Sequence, residues 1–143
     1  MSADAGGAAQ ASGPTVIDAS AVLAWLRDEP GSDTVAGRLD GSFLSAVNLS
    51  EVLQKHLAIG TLSGPEAAGF AGDLASLGLS VVPFREREAA LAAVLWDETR
   101  RLGLGLADRA CMATAVGFGL PALTADRPWA EVEWKGLSVE LIR

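Results

Sequence analysis

Short apolar runs and longer amphipathic ones succeed each other along this chain. Thr15-Val16-Ile17 is a β-branched run that stops on Asp18, and Ala19 to Leu26 follows with helical character. Ser20 has the chemistry of an N-cap, so a first helix is expected through Trp25 and Leu26, ending near Pro30-Gly31. Gly31-Ser32-Asp33 opens a second, short helix to Leu39, and Ser42 to Ser45 is a candidate strand. From Asn48 to Ile59, Leu49, Val52, Leu53 and Leu57 share one stripe while Glu51, Gln54 and Lys55 lie opposite. Ser63-Gly64-Pro65-Glu66 has the form of a capping box, and Ala67, Phe70, Ala71, Leu74 and Leu77 follow at helical spacing up to Gly78.

Leu79 to Phe84 is apolar and β-branched, which predicts a buried strand. Arg85 to Leu102 reads as the longest helix, with Leu91, Val94, Leu95 and Leu102 inward and Gly103 as its stop. A helix from Ala107 to Phe118 closes at Gly119, Pro121 to Thr124 is a further strand ahead of Ala125-Asp126, and Ser138 to Ile142 is an edge strand. Strands alternating with helices predict an α/β fold, a twisted parallel sheet flanked by helices on both faces.

The chain has 143 residues and half of them are apolar, which fits one domain with a proper core, placed at residues 15–143. Residues 1–14 are small and polar without a hydrophobic segment, and are expected to be a disordered leader rather than a secretory signal. No apolar run approaches the ~18 residues that span a bilayer. A cytoplasmic protein without a membrane partner is the expectation.

Charge and composition narrow the chemistry. The net charge is −7, and Lys55 and Lys135 are the only lysines. A duplex nucleic-acid binder would normally be basic, so non-specific DNA or RNA binding is disfavoured, though a local site is not. With one cysteine, Cys111, neither an internal disulfide nor a cysteine zinc site can form. With one histidine, His56, a histidine pair for acid–base cleavage of RNA is excluded too. Any chemistry on protons or metals falls to carboxylates.

Four of these stand out. Asp18 and Asp126 each follow a short apolar strand, so parallel strands would place both on one rim, where open α/β sheets bind ligands. Asp108 lies in the first turn of its helix on the apolar face of Cys111, Met112 and Ala115, where an unpaired carboxylate is costly. Glu51 lies near the start of its own helix, away from the core stripe. Convergence of all four would create strong repulsion that a divalent cation removes, and an all-oxygen set selects Mg²⁺ or Mn²⁺. Each also has a plain local role: Asp108 favours a helix dipole, Glu51 suits a solvated face, and Asp126 before Arg127-Pro128 starts a turn. The residues alone leave both readings open.

Val16-Ile17-Asp18-Ala19-Ser20-Ala21, Asn48-Leu49-Ser50-Glu51-Val52, Leu106-Ala107-Asp108-Arg109-Ala110-Cys111 and Leu123-Thr124-Ala125-Asp126 together resemble PIN domains, and most of all the VapC-type toxin ribonucleases of bacterial toxin–antitoxin pairs. Order and gaps both match, from Thr15 to Arg143. The resemblance implies that Asp18, Glu51, Asp108 and Asp126 are a catalytic quartet holding Mg²⁺ or Mn²⁺, with Ser20 and Thr124 as supporting hydroxyls. It implies an endoribonuclease that cuts RNA phosphodiesters by a metal-activated water, leaving 5′-phosphate and 3′-hydroxyl ends. It also implies a homodimer silenced by a cognate antitoxin. Many family members carry Ser or Thr shortly before the third acid, whereas Leu104-Gly105-Leu106-Ala107 offers no hydroxyl here.

Arg109 and Arg127 directly follow two of the acids and are candidates for binding substrate phosphates. His56 is expected packed or half-exposed, Cys111 a buried hydrophobe, and the four tryptophans core or interface anchors, with a place near the groove left open for Trp129, three residues past Asp126. A dehalogenase-type phosphatase needs an acid at the position of Ser20, and a phospho-receiver needs a late lysine that the region from Leu79 to Trp134 lacks. The rivals are a PIN-like module that binds RNA or protein without cleavage, and a nuclease directed at DNA.

Overall fold

The computed structural model describes residues 12–143. Most of the expected leader, residues 1–11, lies outside the described residues; Gly13 is tied to the domain, its carbonyl accepting from Arg38 Nε at 3.1 Å. Five strands, β1 (Val16–Ile17), β2 (Phe43–Ser45), β3 (Ser80–Val82), β4 (Ala122–Thr124) and β5 (Val139–Leu141), form one sheet in the order β3-β2-β1-β4-β5. Every pairing is parallel, as the alternating pattern predicts. Seven α-helices are described: α1 (Ala19–Leu26), α2 (Ser32–Ala36), α3 (Ala46–Ala58), α4 (Gly64–Ser76), α5 (Glu86–Val94), α6 (Trp96–Thr99) and α7 (Leu106–Phe118).

The two-residue period of the strands divides the core. Ile17, Leu44 and Leu123 face one side, where they bury against Val22 and Leu23 of α1, Val35, Val52 and Leu74. Val16, Phe43 and Ala122 face the other, against Ala92, Leu95, Cys111, Met112 and Trp129. From β1 the chain builds outward through β2 and β3, then returns to the opposite side for β4 and β5. The reversal lies between β1 and β4, and the carboxyl ends of those two strands are where open α/β sheets place their ligands.

Several boundaries depart from the sequence reading. Asp18, not Ser20, is the N-cap of α1, and Ser45 caps α3, which therefore starts ahead of Asn48. The segment expected to be a buried strand is an edge strand, with Ser80 exposed and Val81 and Val82 half-buried. An edge strand is covered on one flank only, and its β-branched residues read the same in sequence.

The long helix expected over residues 85–102 is broken into α5, α6 and a 3₁₀ turn, and Val94 is exposed rather than inward. The break falls where the Ala92 carbonyl, the acceptor for Trp96 in an unbroken helix, receives Arg109 Nε at 3.0 Å. Thr99 Oγ1 also donates back to the Leu95 carbonyl at 2.9 Å, a bond that bends helices. The stripe of α3 is likewise shorter than its periodicity suggests: Val52 is fully buried but Leu57 is exposed.

Candidate active site

Asp18 is buried at the tip of β1, the central strand of the sheet. Its N–H donates to the Leu123 carbonyl at 2.8 Å, which locks the tip of β1 to β4. All hydrogen bonds to its carboxylate fall on one oxygen. Oδ2 accepts from Ser20 Oγ at 2.6 Å and Thr124 Oγ1 at 2.9 Å, with the Ser20 N–H at 3.4 Å. Oδ1 is buried without a partner. Burial pushes the Asp18 pKa up to about 7, the Ser20 hydrogen bond lowers it, and the charge of Asp108 raises it, with smaller opposed effects of Thr124 and Glu51.

The two hydroxyls do more than hold Asp18. Ser20 Oγ lies 3.1 Å from Thr124 Oγ1 and accepts from the Ala125 N–H at 3.0 Å. Thr124 Oγ1 accepts from the Asp126 N–H, also at 3.0 Å. The β4 turn that carries Asp126 is thus fastened to the same pair of hydroxyls that orients Asp18.

The remaining acids come from helices. Asp108 sits at the third position of α7, where Oδ2 accepts from the Gly105 N–H at 2.8 Å and caps its own helix. Desolvation raises its pKa, the Gly105 bond opposes this, and the charges of Glu51 and Asp126 raise it further. Glu51 is partly exposed on α3, with Lys55 Nζ 3.8 Å away. Asp18, Glu51 and Asp108 therefore share one field, which Asp126 joins through Asp108. They meet by charge rather than by contact: among the described residues, no three His, Cys, Asp or Glu side chains are grouped as a metal site.

What the carboxylates offer is hard oxygen, and the unpartnered Oδ1 of Asp18 is a buried acceptor that a cation would satisfy. In chemistry the donor set fits Mg²⁺ or Mn²⁺.

Both arginines singled out from the sequence have backbone partners. Arg109 donates from Nε to Ala92 and from Nη1 to the Leu104 carbonyl at 3.3 Å, while its charge lowers the Asp108 pKa. Arg127 Nη1 donates to the Arg143 carbonyl at 2.8 Å. His56 bonds Thr61 Oγ1 through Nδ1 at 2.8 Å, at the far end of α3. Trp129 is fully buried in the core, whereas Trp96 is exposed with Arg100 stacked 4.9 Å above its ring.

One residue escaped the sequence reading. Asn48, fully buried on α3, donates from Nδ2 to the Ala107 carbonyl at 2.9 Å. In the sequence it opens the Asn48-Leu49-Ser50-Glu51-Val52 segment, three residues before Glu51, where its side chain carries no assigned role of its own.

A family model described as PIN domain matches residues 15–135. No curated protein matches. Among solved structures, FitAcB from Neisseria gonorrhoeae is 22% identical with a TM-score of 0.63, over 90% of this chain and 97% of that one. VapBC-1 from nontypeable Haemophilus influenzae is 13% identical with a TM-score of 0.64, over 91% and 98%. DNA-bound VapBC from Salmonella typhimurium is 17% identical with a TM-score of 0.64, over the same shares.

Proposed function

The chain belongs to the PIN domain family, and from that premise we propose that it is a Mg²⁺- or Mn²⁺-dependent endoribonuclease, the toxin of a toxin–antitoxin pair. The observation that carries this reading is Asp18: a buried carboxylate at a strand tip, oriented through one oxygen, unpartnered at the other, and within the field of two more acids. A structural aspartate would be satisfied on both oxygens or exposed.

In this reading Asp18, Glu51, Asp108 and Asp126 hold the ion, and Ser20 and Thr124 orient the first of them. When bound, the ion supplies Lewis-acid activation of water and neutralises charge on the phosphodiester. The chain's own contribution is placement. Ser20 and Thr124 fix the direction of the Asp18 carboxylate, leaving one oxygen free. Gly105 aims Asp108 by holding one of its oxygens. Low accessibility around Asp18 keeps competing water from that free oxygen.

RNA is the substrate we propose. The solved relatives include a toxin–antitoxin complex from Klebsiella pneumoniae, and a cognate antitoxin is the partner proposed here, with a homodimer as the assembly. Arg109 and Arg127 are placed mainly to hold backbone in the free protein, and any phosphate contact from them would use their remaining N–H groups.

The test is cleavage of total small RNA by antitoxin-free protein with Mg²⁺, with Mn²⁺ and with EDTA, beside Asp18→Asn and Asp108→Asn. Discrete metal-dependent cuts bearing 5′-phosphate ends, lost in both variants, are the expected result. Folded protein that binds Mn²⁺ but cuts nothing would identify a binding module instead. Products ending in 2′,3′-cyclic phosphate would remove the metal-water mechanism.

A further inference from the structure

Asn48 joins the two helices that deliver the helical acids. It is fully buried between α3 and the start of α7, and Nδ2 donates to the carbonyl of Ala107, the residue directly before Asp108. Residues three apart on a helix are surface neighbours, so Asn48 and Glu51 occupy one face of α3, one turn apart. A single amide thus ties the turn before Glu51 to the backbone that carries Asp108.

The amide is poorly suited to a purely packing role. Its Oδ1 is buried without a partner. A leucine has the same branching and would leave no unpaired side-chain acceptor. The tie also works against an existing force, because Glu51 and Asp108 repel. Asp108 is aimed by its bond to Gly105 within α7, but that bond says nothing about where α7 stands relative to α3. Asn48 adds to the packing of the two helices a directional constraint next to Asp108.

We propose that Asn48 is a positioning residue that sets the separation of the Glu51 and Asp108 carboxylates, and through it the affinity of the acidic site for Mg²⁺ or Mn²⁺. This rests on the metal-centre reading given above. Residues that orient ligands without touching the ion typically alter metal affinity by about 10–100-fold when replaced.

The experiment compares wild type, Asn48→Leu and Asn48→Ala in two ways. Mn²⁺ uptake is titrated by the EPR signal of the free ion, and metal-free crystal structures give the Glu51–Asp108 separation. The expected result is that Asn48→Leu stays folded yet binds Mn²⁺ about tenfold or more weakly, with the two carboxylates farther apart or variably placed. Asn48→Ala supplies the same comparison should leucine prevent folding. A folded variant with wild-type Mn²⁺ affinity and unchanged separation overturns the proposal. If wild type takes up no Mn²⁺, the metal reading fails by itself. The separation then decides the tie: widened in the variants, Asn48 still positions the acids; unchanged, it does not.

Discussion

Thr124 Oγ1 donates to Asp18 Oδ2 at 2.9 Å across the junction of two neighbouring parallel strands, linking residues 106 apart in sequence. The same oxygen of Asp18 takes the Ser20 hydroxyl at 2.6 Å. Because both donors converge on Oδ2, the carboxylate cannot rotate freely, and its second oxygen is presented in one direction.

Thr124→Val keeps the shape and removes the hydroxyl. The Asp18 carboxylate loses a donor and the Asp126 N–H loses its acceptor. We expect metal-free stability at pH 8 to fall by about 1–3 kcal/mol in urea denaturation. The Asp18 carboxyl, followed by NMR, should titrate above its wild-type midpoint. An unchanged midpoint would mean that the hydroxyl does not support the ionised form.

The stability of the metal-free protein should decline as pH rises through the Asp18 titration. From an ordinary aspartate value of 3.8, the pKa is pushed up to about 7 in the fold. Between those values the native state holds the extra proton, so the cost of ionising a buried carboxyl begins near pH 4 and is complete above pH 7. Asp108, also raised, acts in the same direction. Unfolding free energy should therefore be lower at pH 8 than at pH 5 by roughly 2–3 kcal/mol from Asp18. Urea titrations at the two pH values in EDTA measure it, and equal stability at both would refute the burial argument.

Asp18→Asn removes the ionisation while keeping the volume. It should flatten that pH dependence and stabilise the metal-free protein at pH 8. Mn²⁺ added to wild type should raise the melting temperature by mass action, and the rise should be absent in the variant. RNA cleavage should drop by on the order of a hundredfold or more. A variant that gained stability yet kept its cleavage would place the chemistry elsewhere.

Gly31 tests the fold away from the acids. Its φ is +95°, and a Cβ there would stand 2.7 Å from the Ile142 carbonyl oxygen and 2.8 Å from its Cγ1. Gly31→Ala therefore meets both an unfavourable backbone region and a clash with the chain just after β5. A loss of about 1–3 kcal/mol is expected in chemical denaturation, with Mn²⁺ affinity preserved.

Much of this architecture is legible in the residues alone. Asp18 and Asp126 follow apolar runs, and parallel strands oblige their side chains to share a rim. The helices with clear local signals also appear, such as α4 with Ser63 and Glu66 capping each other. What escapes is whatever depends on neighbours. Arg85 to Leu102 has an unbroken helical pattern, yet Arg109, distant in sequence, takes an acceptor in its middle. Val81 looks buried because β-branched residues suit edge and centre alike. The contact of Asn48 depends on α7 packing against α3, a second partner that periodicity along α3 cannot report.

Cys111 lies beneath β1, its thiol 3.9 Å from the Val16 carbonyl. Burial, then the charges of Asp18, Asp108 and Glu51, push its pKa well up. The thiol thereby becomes an internal clock. A disulfide reagent can reach it only when the buried site opens, so the labelling rate reports that opening. An ion that draws the acids together should slow the labelling, which would let a single native cysteine time the breathing of the acidic site.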